Sequence, residues 1–248
     1  MSKSLTIATL YPAEMNIYGD HGNVEFLIRR AELYGFEINL IVYEPGGNLP
    51  DDVDIILGGG GQDSGQTKIT DDLMKLAPKL HALAESGVPM LVICGLYQLF
   101  GHYFQTNQGE KIAGIGLFDA CTVAGEKRLI GNIVTDWNGC QLVGYENHSG
   151  LTHLNDGQST FGSVVKGAGN NGEDSTEGTR TYNVFGSYLH GPILPKNPRL
   201  ADELLLLAAR RRFDDHELTP ADTHAEKTLQ LLNNLSKQAR TIAMTRPR

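Results

Sequence analysis

The sequence predicts an α/β protein in which a mostly parallel central sheet carries helices on both faces. In the first hundred residues, short apolar runs alternate with segments whose apolar residues recur at helical spacing. The apolar runs are nearly continuous, as in strands that are buried on both faces of a parallel sheet. From Ile112 to about Tyr188 the runs become short and alternating, which predicts a small antiparallel section beside that sheet.

The elements of the first half follow from apolar spacing and from the residues that end each run. Along the chain we predict a strand over Leu5–Leu10, a helix with one apolar face from Val24 to Tyr34, strands over Glu37–Tyr43 and Val53–Leu57, a helix over Asp71–Glu85 and a strand over Val88–Ile93. Parallel sheets of this kind bind ligands beyond the carboxyl ends of their strands. Gly58 and Cys94 each follow such an end, so we expect the functional site at this edge.

The second half contains two runs that predict antiparallel strands, Gly131–Thr135 and Gln141–Tyr145. The segment Lys166–Thr181 is rich in Gly, Asn, Glu and Asp, and we interpret it as a mobile hairpin tip rather than a domain boundary. A last strand is predicted over Tyr182–Tyr188.

The carboxyl-terminal part is predicted to be helical. Asn197-Pro198 supplies an N-cap and a proline at the first helical position. Thr219-Pro220-Ala221-Asp222 repeats this start signal, which predicts a final helix over about 219–242. Since neither an internal repeat nor a Ser/Gly linker interrupts the sequence, we predict a single domain over residues 1–248.

Charge and composition exclude several classes of function. The formal net charge is −8 and the longest basic tract is Arg210-Arg211-Arg212, so we predict no nucleic-acid binding. The apolar run Leu5–Leu10 is too short for a signal peptide or a membrane span, so we predict no membrane insertion. An odd number of cysteines without paired spacing (Cys94, Cys121 and Cys140) favours a reducing, cytoplasmic setting.

The sequence predicts no cofactor and no metal. Gly60–Thr67 nearly matches a phosphate-binding P-loop, but Gln66 stands where that motif requires lysine. No cluster of His, Cys and carboxylate residues in the sequence has the spacing of a metal site. Chemistry that uses ATP would therefore require a partner.

Cys94 is the candidate nucleophile, because it ends an apolar strand and is followed by Gly95 and a segment that can form a helix. Backbone N–H groups at a helix start favour thiolate over thiol. The alternative is an inert core cysteine, since unpaired cysteines are often buried. His190 lies just beyond the last predicted strand, at the same edge, and is the best candidate for the base. Gly58–Gly61 can approach an anion closely, although a flexible turn has the same composition.

Several separated motifs resemble those of a known family. Gly58–Asp63, Cys94–Gln98 and Tyr188–Gly191 are similar to class I glutamine amidotransferases of the cobyric acid synthase branch. Four further stretches are similar to the glutaminase subunits of lipid II isoglutaminyl synthase: Met15–Asn23, Arg128–Asn132, Tyr145–Gly150 and His190–Pro198. The resemblance extends from about Thr6 to Leu206 and also implies the class I amidotransferase fold.

The resemblance implies a role for each matched residue. Cys94 would attack the side-chain amide of L-glutamine, and His190 would pass the thiol proton to the departing ammonia. The γ-glutamyl thioester would then be hydrolysed to glutamate. The oxyanion would be held by the N–H of Gly95 together with that of Gly60 or Gly61. Arg128 would bind the substrate, since a guanidinium can hold a carboxylate through two parallel hydrogen bonds, and Gln98 is placed in the same substrate-binding set.

Two departures from the wider family concern the nucleophile and the base. Val92 and Leu96 stand where the wider class has glycine on either side of the cysteine, which predicts a less tight turn. Pro192 stands where the wider class has the glutamate that orients the imidazole. This acid could be absent, come from elsewhere in the chain, or be supplied by a partner. We expect it from the partner, because that would couple glutamine hydrolysis to assembly.

The resemblance also implies a partner and an acceptor. The partner would be a MurT-like Mur ligase subunit that binds ATP and lipid II and forms a heterodimer with this chain. Ammonia would convert the D-glutamate of lipid II to D-isoglutamine during peptidoglycan synthesis. Two alternatives stay open: an amidotransferase subunit that serves another acceptor, such as a corrinoid carboxylate, and a catalytically inactive binding module with the same fold.

Overall fold

The computed structural model describes residues 3–246, which form strands and helices joined by loops. The strands are β1 (Lys3–Leu10), β2 (Phe36–Tyr43), β3 (Ile55–Gly58), β4 (Met90–Ile93), β5 (Tyr103–Gln105), β6 (Lys111–Ala113), β7 (Ala120–Trp137), β8 (Cys140–Leu154), β9 (Gly162–Lys166), β10 (Thr176–Glu177), β11 (Thr179–Thr181) and β12 (Val184–Ser187). The helices are α1 (His21–Leu33), α2 (Asp63–Glu85), α3 (Gly95–Phe100), α4 (Ile193–Lys196), α5 (Pro198–Phe213) and α6 (Thr223–Thr245), with a 3₁₀ turn at Ile17–Gly19.

The first sheet has the strand order β11-β12-β4-β3-β1-β2, and all neighbours are parallel except the edge strand β11. From β1 the chain crosses to β2 through α1, and from β3 it crosses to β4 in the opposite direction through α2. Because such crossovers are almost always right-handed, opposite directions place α1 and α2 on opposite faces of the sheet. The predicted fold class is therefore confirmed.

The strand order reverses between β1 and β3, which opens a crevice at the carboxyl ends of the strands. The register aligns these ends, since Leu10 pairs with Gly58, Gly58 with Val92, and Ser187 with Ile93. The segments that follow the four strands therefore emerge at one edge. They carry the residues of the candidate site described below.

The second sheet is larger than the small antiparallel section that we predicted. It has the order β10-β9-β7-β5-β6, with β8 paired to β7. The two predicted short strands are parts of one long hairpin, in which β7 has 18 residues and β8 has 15. A pair of backbone hydrogen bonds between Tyr145 and His190 joins this hairpin to the chain that leaves the parallel sheet.

The interpretation of Lys166–Thr181 as a mobile hairpin tip was wrong. The segment contains β10 and β11, and Asn170, Glu177 and Thr179 within it are fully buried. Its buried polar side chains bond within the segment and to neighbouring strands; Asn170 donates to the carbonyl of Gly178 at 3.0 Å, and Asn171 donates to the carbonyl of Thr152 at 3.1 Å. A polar composition therefore reflects internal hydrogen bonding here rather than exposure to solvent.

Two helix boundaries also differ from the predictions. Helix α2 begins at Asp63 rather than Asp71, because Gln66 and Ile69 in its first turns are buried against the protein. Helix α6 begins at Thr223, where the side chain of Asp222 accepts a hydrogen bond from the N–H of Ala225 at 2.7 Å.

Buried apolar side chains from both sheets form one continuous cluster, which includes Leu91 and Phe185 of the first sheet and Ile133 and Leu142 of the second. This continuity supports a single domain, which stays a prediction. Across residues 3–246, none of the helices combines the length and the apolar character needed to cross a membrane.

Candidate active site at the carboxyl edge of the parallel sheet

Cys94 occupies the sharp turn between β4 and α3. Its backbone has φ 49° and ψ −103°, a conformation that L-residues rarely adopt and that costs on the order of 1–3 kcal/mol. Its N–H donates to the carbonyl of Ser187 on the neighbouring strand at 2.9 Å, which fixes the turn from one side. The side chain is 7% exposed and borders an open cleft. The thiol therefore lies at the sharp turn that starts α3, at the border of the cleft.

His190 follows β12 and is fully buried. Its N–H donates to the carbonyl of Tyr145 at 3.0 Å, and its carbonyl accepts the N–H of Tyr145 at 3.2 Å. A methyl group added to Gly60 would lie 2.8 Å from Cε1 of His190 and 3.0 Å from Cβ of Cys94. The two side chains therefore converge on the glycine loop after β3. The structure brings together the residues proposed as nucleophile and base.

A carboxylate of this chain, that of Asp20, lies beside His190, while the expectation that a partner supplies the orienting acid stays a prediction. Asp20 is buried, and its carboxylate oxygens lie 3.3 Å from Nδ1 of His190. Asp20 Oδ2 also accepts the N–H of Gly60 at 2.8 Å. Pro192, at the position of the usual glutamate, packs instead on the start of α1, where a Cβ on Gly22 would lie 2.6 Å from its ring. Sequence reasoning missed Asp20 because it follows no strand end directly and reaches His190 through the turn Ile17–Gly19.

The surroundings of His190 set its protonation. Burial alone would lower its pKa, but the charge of the nearby Cys94, the hydrogen bond with Asp20 and the charge of Asp20 raise the pKa to about 10. Asp20 engages Nδ1, whereas the buried Nε2 makes no hydrogen bond within the described residues and stays available for proton transfer. The imidazole therefore keeps its proton across the neutral pH range. It is suited to deliver that proton to a leaving group.

The glycine loop after β3 offers one N–H group to an oxyanion rather than two. The N–H of Gly60 is taken by Asp20, so Gly60 is not available as the donor that we had considered. The N–H groups of Gly61 and Gly95 have no acceptor among the described residues. These two residues are in contact, since a Cβ on Gly95 would lie 2.7 Å from the nitrogen of Gly61. Gly61 and Gly95 therefore form the candidate oxyanion hole.

A cleft of about 350 Å³ opens in front of Cys94 and is large enough for an amino acid. Arg128 and Asn147 line it on the side of the long β7–β8 hairpin. Arg128 Nε donates to Oδ1 of Asn147 at 2.6 Å, and Nη2 donates to the Asn147 carbonyl at 3.3 Å. Asn147 thus holds the guanidinium in place at the cleft wall. Its role in binding a substrate carboxylate stays a proposal.

Gln98 borders the cleft, but both ends of its amide are bonded inside the protein. Its Oε1 accepts from Nε2 of Gln66 at 2.8 Å, and its Nε2 donates to the hydroxyl of Tyr188 at 3.1 Å. Gln98 therefore links α2, α3 and the strand that leads to His190. Direct contact between Gln98 and substrate remains a proposal.

Tyr18 is a further cleft residue that sequence reasoning did not single out. Its ring packs edge-on against His190 with centroids 4.8 Å apart, and its backbone has the unusual φ of 64°. It belongs to the same short turn that leads to Asp20. The stretch Met15–Asn23 had carried a family resemblance without a role for any one residue, and this contact gives Tyr18 a role beside His190.

Within residues 3–246, no group of three or more His, Cys, Asp or Glu side chains is placed to hold a metal ion.

A buried carboxyl supports the backbone behind the site. Glu177 Oε1 accepts from the hydroxyl of Ser187 at 3.1 Å and from the N–H of Tyr188 at 2.8 Å. Burial raises the pKa of Glu177 to about 8; these two hydrogen bonds oppose the shift and the nearby Glu146 adds to it. Because the carbonyl of Ser187 holds the N–H of Cys94, Glu177 supports the strand end that precedes His190 and also fixes the nucleophile.

The raised pKa of Glu177 predicts a pH dependence of stability. Between pH 4.5 and 8 the unfolded chain releases this proton while the folded chain keeps it, so the free energy of unfolding falls as pH rises, by up to about 1.4 kcal/mol per unit. Glu177→Gln is expected to remove this part of the slope in urea denaturation at pH 5 and pH 8. Glu173→Gln, an exposed neighbour, is the control and should keep the slope. An identical slope in Glu177→Gln and the wild type would contradict the prediction.

Comparison with known sequences points to one family. A family model of the CobB/CobQ-like glutamine amidotransferase domain matches residues 6–198. The chain is 40% identical over 225 residues to the lipid II isoglutaminyl synthase (glutamine-hydrolyzing) subunit GatD of Staphylococcus aureus (strain N315), covering 90% of this chain and 91% of that one. It is 38% identical over 226 residues to the same subunit of Streptococcus pneumoniae (strain ATCC BAA-255 / R6), covering 88% and 85%.

More distant similarities agree with this result. The chain is 33% identical over 167 residues to the cobyric acid synthase of Azorhizobium caulinodans, which covers 63% of this chain but only 32% of that protein. Among solved structures, PurLQS from Thermotoga maritima has a TM-score of 0.53 at 18% identity, with 77% of this chain and 88% of that chain covered. A crystal structure of a glutamine amidotransferase has a TM-score of 0.55 at 14% identity, with 82% and 98% covered. At these identities the structures support the fold alone.

Proposed function

Because the chain belongs to the family of CobB/CobQ-like glutamine amidotransferase domains, we propose that it is the glutaminase subunit of a lipid II isoglutaminyl synthase. The observation that carries this proposal is the convergence of Cys94, His190 and Asp20 at one edge of the parallel sheet. A binding module that had lost catalysis would have no reason to keep this buried arrangement. The identity to two GatD subunits over about nine-tenths of the chain supports the choice of acceptor.

The proposed reaction begins with attack by the Cys94 sulfur on the side-chain amide carbon of L-glutamine. Negative charge develops on the amide oxygen, where the N–H groups of Gly61 and Gly95 stabilise it. The imidazolium of His190 gives its proton to the amide nitrogen, the C–N bond breaks, and ammonia leaves. A γ-glutamyl thioester on Cys94 remains.

The second half of the reaction regenerates the thiolate. The neutral His190 takes a proton from water, and the resulting hydroxide attacks the thioester carbon. The C–S bond breaks, glutamate leaves, and the thiolate again faces a protonated imidazole. Asp20 keeps the imidazole oriented in both halves, as the third member of a triad does. His190 therefore donates a proton in the first half of the reaction and accepts one in the second half.

The acceptor chemistry belongs to a partner subunit in this proposal. A MurT-like Mur ligase that binds ATP and lipid II would phosphorylate the α-carboxylate of D-glutamate, and ammonia would displace the phosphate to give D-isoglutamine. The two subunits would form a heterodimer in the cytoplasm and contribute to peptidoglycan synthesis. The name of the two relatives, a glutamine-hydrolyzing synthase subunit, supports a division of labour of this kind.

The acceptor is tested by supplying the chain and a MurT-like ligase with ATP, glutamine and one of two acceptors. Lipid II is expected to gain an amide at D-glutamate, with one glutamate released for each amide formed. A corrinoid with free carboxylates is expected to stay unchanged. Amidation of the corrinoid alone would overturn the choice of acceptor, and the absence of glutamate release would overturn the glutaminase proposal itself.

Arg128 provides a test of substrate binding. If its guanidinium holds the α-carboxylate of glutamine, Arg128→Ala should raise KM by about 10- to 100-fold, because hydrogen bonds to charged groups contribute about 1.5–3 kcal/mol. The kcat should change far less, since this contact is the same in the ground state and the transition state. Steady-state glutaminase assays measure both constants. Arg199→Ala, an exposed arginine on α5, is the matched control. An unchanged KM in Arg128→Ala would refute the assignment.

A further inference from the structure

A buried amide on α2 reaches across to the helix that carries the nucleophile. Gln66 is 1% exposed, and its Nε2 donates to the carbonyl of Gly95 at 3.0 Å and to Oε1 of Gln98 at 2.8 Å. A side-chain amide has two N–H groups, so both donors of Gln66 are used. The side chain thus ties the first turn of α2 to the first turn of α3.

Both tied helices begin at the candidate oxyanion hole. Gly61 stands two residues before α2, and the N–H of Gln66 donates to the carbonyl of Gln62 at 2.9 Å, so the residue after Gly61 is already part of the hydrogen bonding of the helix. Gly95 is the first residue of α3, in direct contact with the backbone nitrogen of Gly61. The distance between the two N–H donors is therefore set by how α2 packs on α3.

Helix α3 cannot set this distance by itself. It has only six residues, and isolated helices this short are unstable. It also begins at Cys94, whose backbone is strained, so contacts from outside must hold it in place. The carbonyl of Ser187 holds the N–H of Cys94 from one side, and Gln66 holds the carbonyl of Gly95 from the other.

We propose that Gln66 is a positioning residue for glutamine hydrolysis, which holds the N–H groups of Gly61 and Gly95 at the spacing that binds the tetrahedral oxyanion. It does not touch substrate; it acts through the backbone of Gly95. The inference rests on the proposed glutaminase function and adds a residue to its transition-state machinery.

The test replaces Gln66 by methionine, which keeps the length of the side chain and removes both donors. In the full-length chain with its Mur ligase partner present, kcat for glutamine hydrolysis is expected to fall about 10- to 100-fold, somewhat less than the loss of a whole oxyanion donor. The KM should stay within about twofold, since the oxyanion forms only in the transition state. The γ-aldehyde analogue of glutamine, which forms a tetrahedral adduct with the thiol, should bind more weakly by the same factor as kcat.

Alkylation of Cys94 by iodoacetamide separates positioning from general damage. Displacement at a saturated carbon develops no oxyanion, so the alkylation rate of Gln66→Met should stay within about twofold of the wild type. Thr67→Val, an exposed change on the next residue of the same helix, is the control and should match the wild type in all assays. If Gln66→Met does not fold, Gln66→Leu, which is apolar and has no donor, carries the same expectations.

The outcomes are distinct. A kcat within twofold of the wild type would overturn the inference while leaving the glutaminase intact. Equal falls in hydrolysis and in alkylation would also overturn it, because Gln66 would then support the whole turn and not the oxyanion hole. A wild-type chain that hydrolyses no glutamine would overturn the proposed function, and this inference with it.

Discussion

Replacing Cys94 by alanine is expected to abolish glutamine hydrolysis, with a fall in kcat on the order of 10⁴-fold or more, as for the loss of other covalent nucleophiles. Alanine has no group that can form the thioester, and the remaining oxyanion donors and binding contacts act on a reaction without a nucleophile. The measurement is release of glutamate from glutamine by the chain in complex with its ligase partner. The same complex should still amidate its acceptor when ammonium is supplied, because that step does not use the sulfur.

Cys140→Ala is the matched control for this loss. Cys140 lies on β8, is partly exposed, and its sulfur has only a distant contact with the carbonyl of Gln141, at 4.0 Å. Its replacement should leave glutamate release unchanged. Hydrolysis by Cys94→Ala at a rate near that of the wild type would exclude Cys94 as the nucleophile. Loss of ammonium-dependent amidation in the same variant would indicate that the change had damaged the complex rather than the chemistry.

Asp20→Asn is expected to lower kcat by about 10²- to 10⁴-fold, the upper value being that of the corresponding change in a serine protease triad. An amide in place of the carboxylate cannot accept both the N–H of Gly60 and the proton on Nδ1 of His190, so the imidazole is held in the wrong tautomer. The pKa of His190 should fall as well, because one of the charges that raise it is removed. The activity of Asp20→Asn should therefore depend differently on pH, which a kcat profile from pH 6 to 10 measures.

Glu25→Gln tests whether the loss is specific to the buried carboxylate. Glu25 lies on α1, five residues beyond Asp20, and its side chain is 67% exposed. Its replacement should leave kcat unchanged. If Asp20→Asn keeps full activity while an acidic residue of the partner proves essential, then the partner supplies the acid after all and Asp20 only fixes the glycine loop.

The parallel sheet could be predicted well from sequence, because its strands are buried on both faces and leave continuous apolar runs. The first turns of α2 were missed for a physical reason. Gly65, Thr67 and Thr70 are poor helix formers, and the helix there is stabilised by burial of Gln66 and Ile69, which local propensity does not report. The long β7–β8 hairpin was likewise predicted only over the short runs in which apolar and polar residues alternate regularly.

The site was predictable where a residue directly follows a strand, as Cys94 and His190 do. Asp20 follows no strand end directly; it reaches His190 through a turn whose path depends on tertiary contacts. Gly60 shows that a residue can be located from sequence while its hydrogen bond cannot. Its position in the glycine loop was predicted, yet its N–H is used by Asp20, a contact that the pattern of glycines does not encode.

The pairing of Tyr145 with His190 has a mechanical consequence. Tyr145 and Asn147 are two residues apart on β8. The backbone of Tyr145 is hydrogen-bonded to that of His190, and the side chain of Asn147 holds Arg128 at the cleft wall. One short segment of β8 therefore holds both the cleft wall and the backbone of the proton carrier. Variants on this segment should therefore change both the affinity for glutamine and the kcat of its hydrolysis.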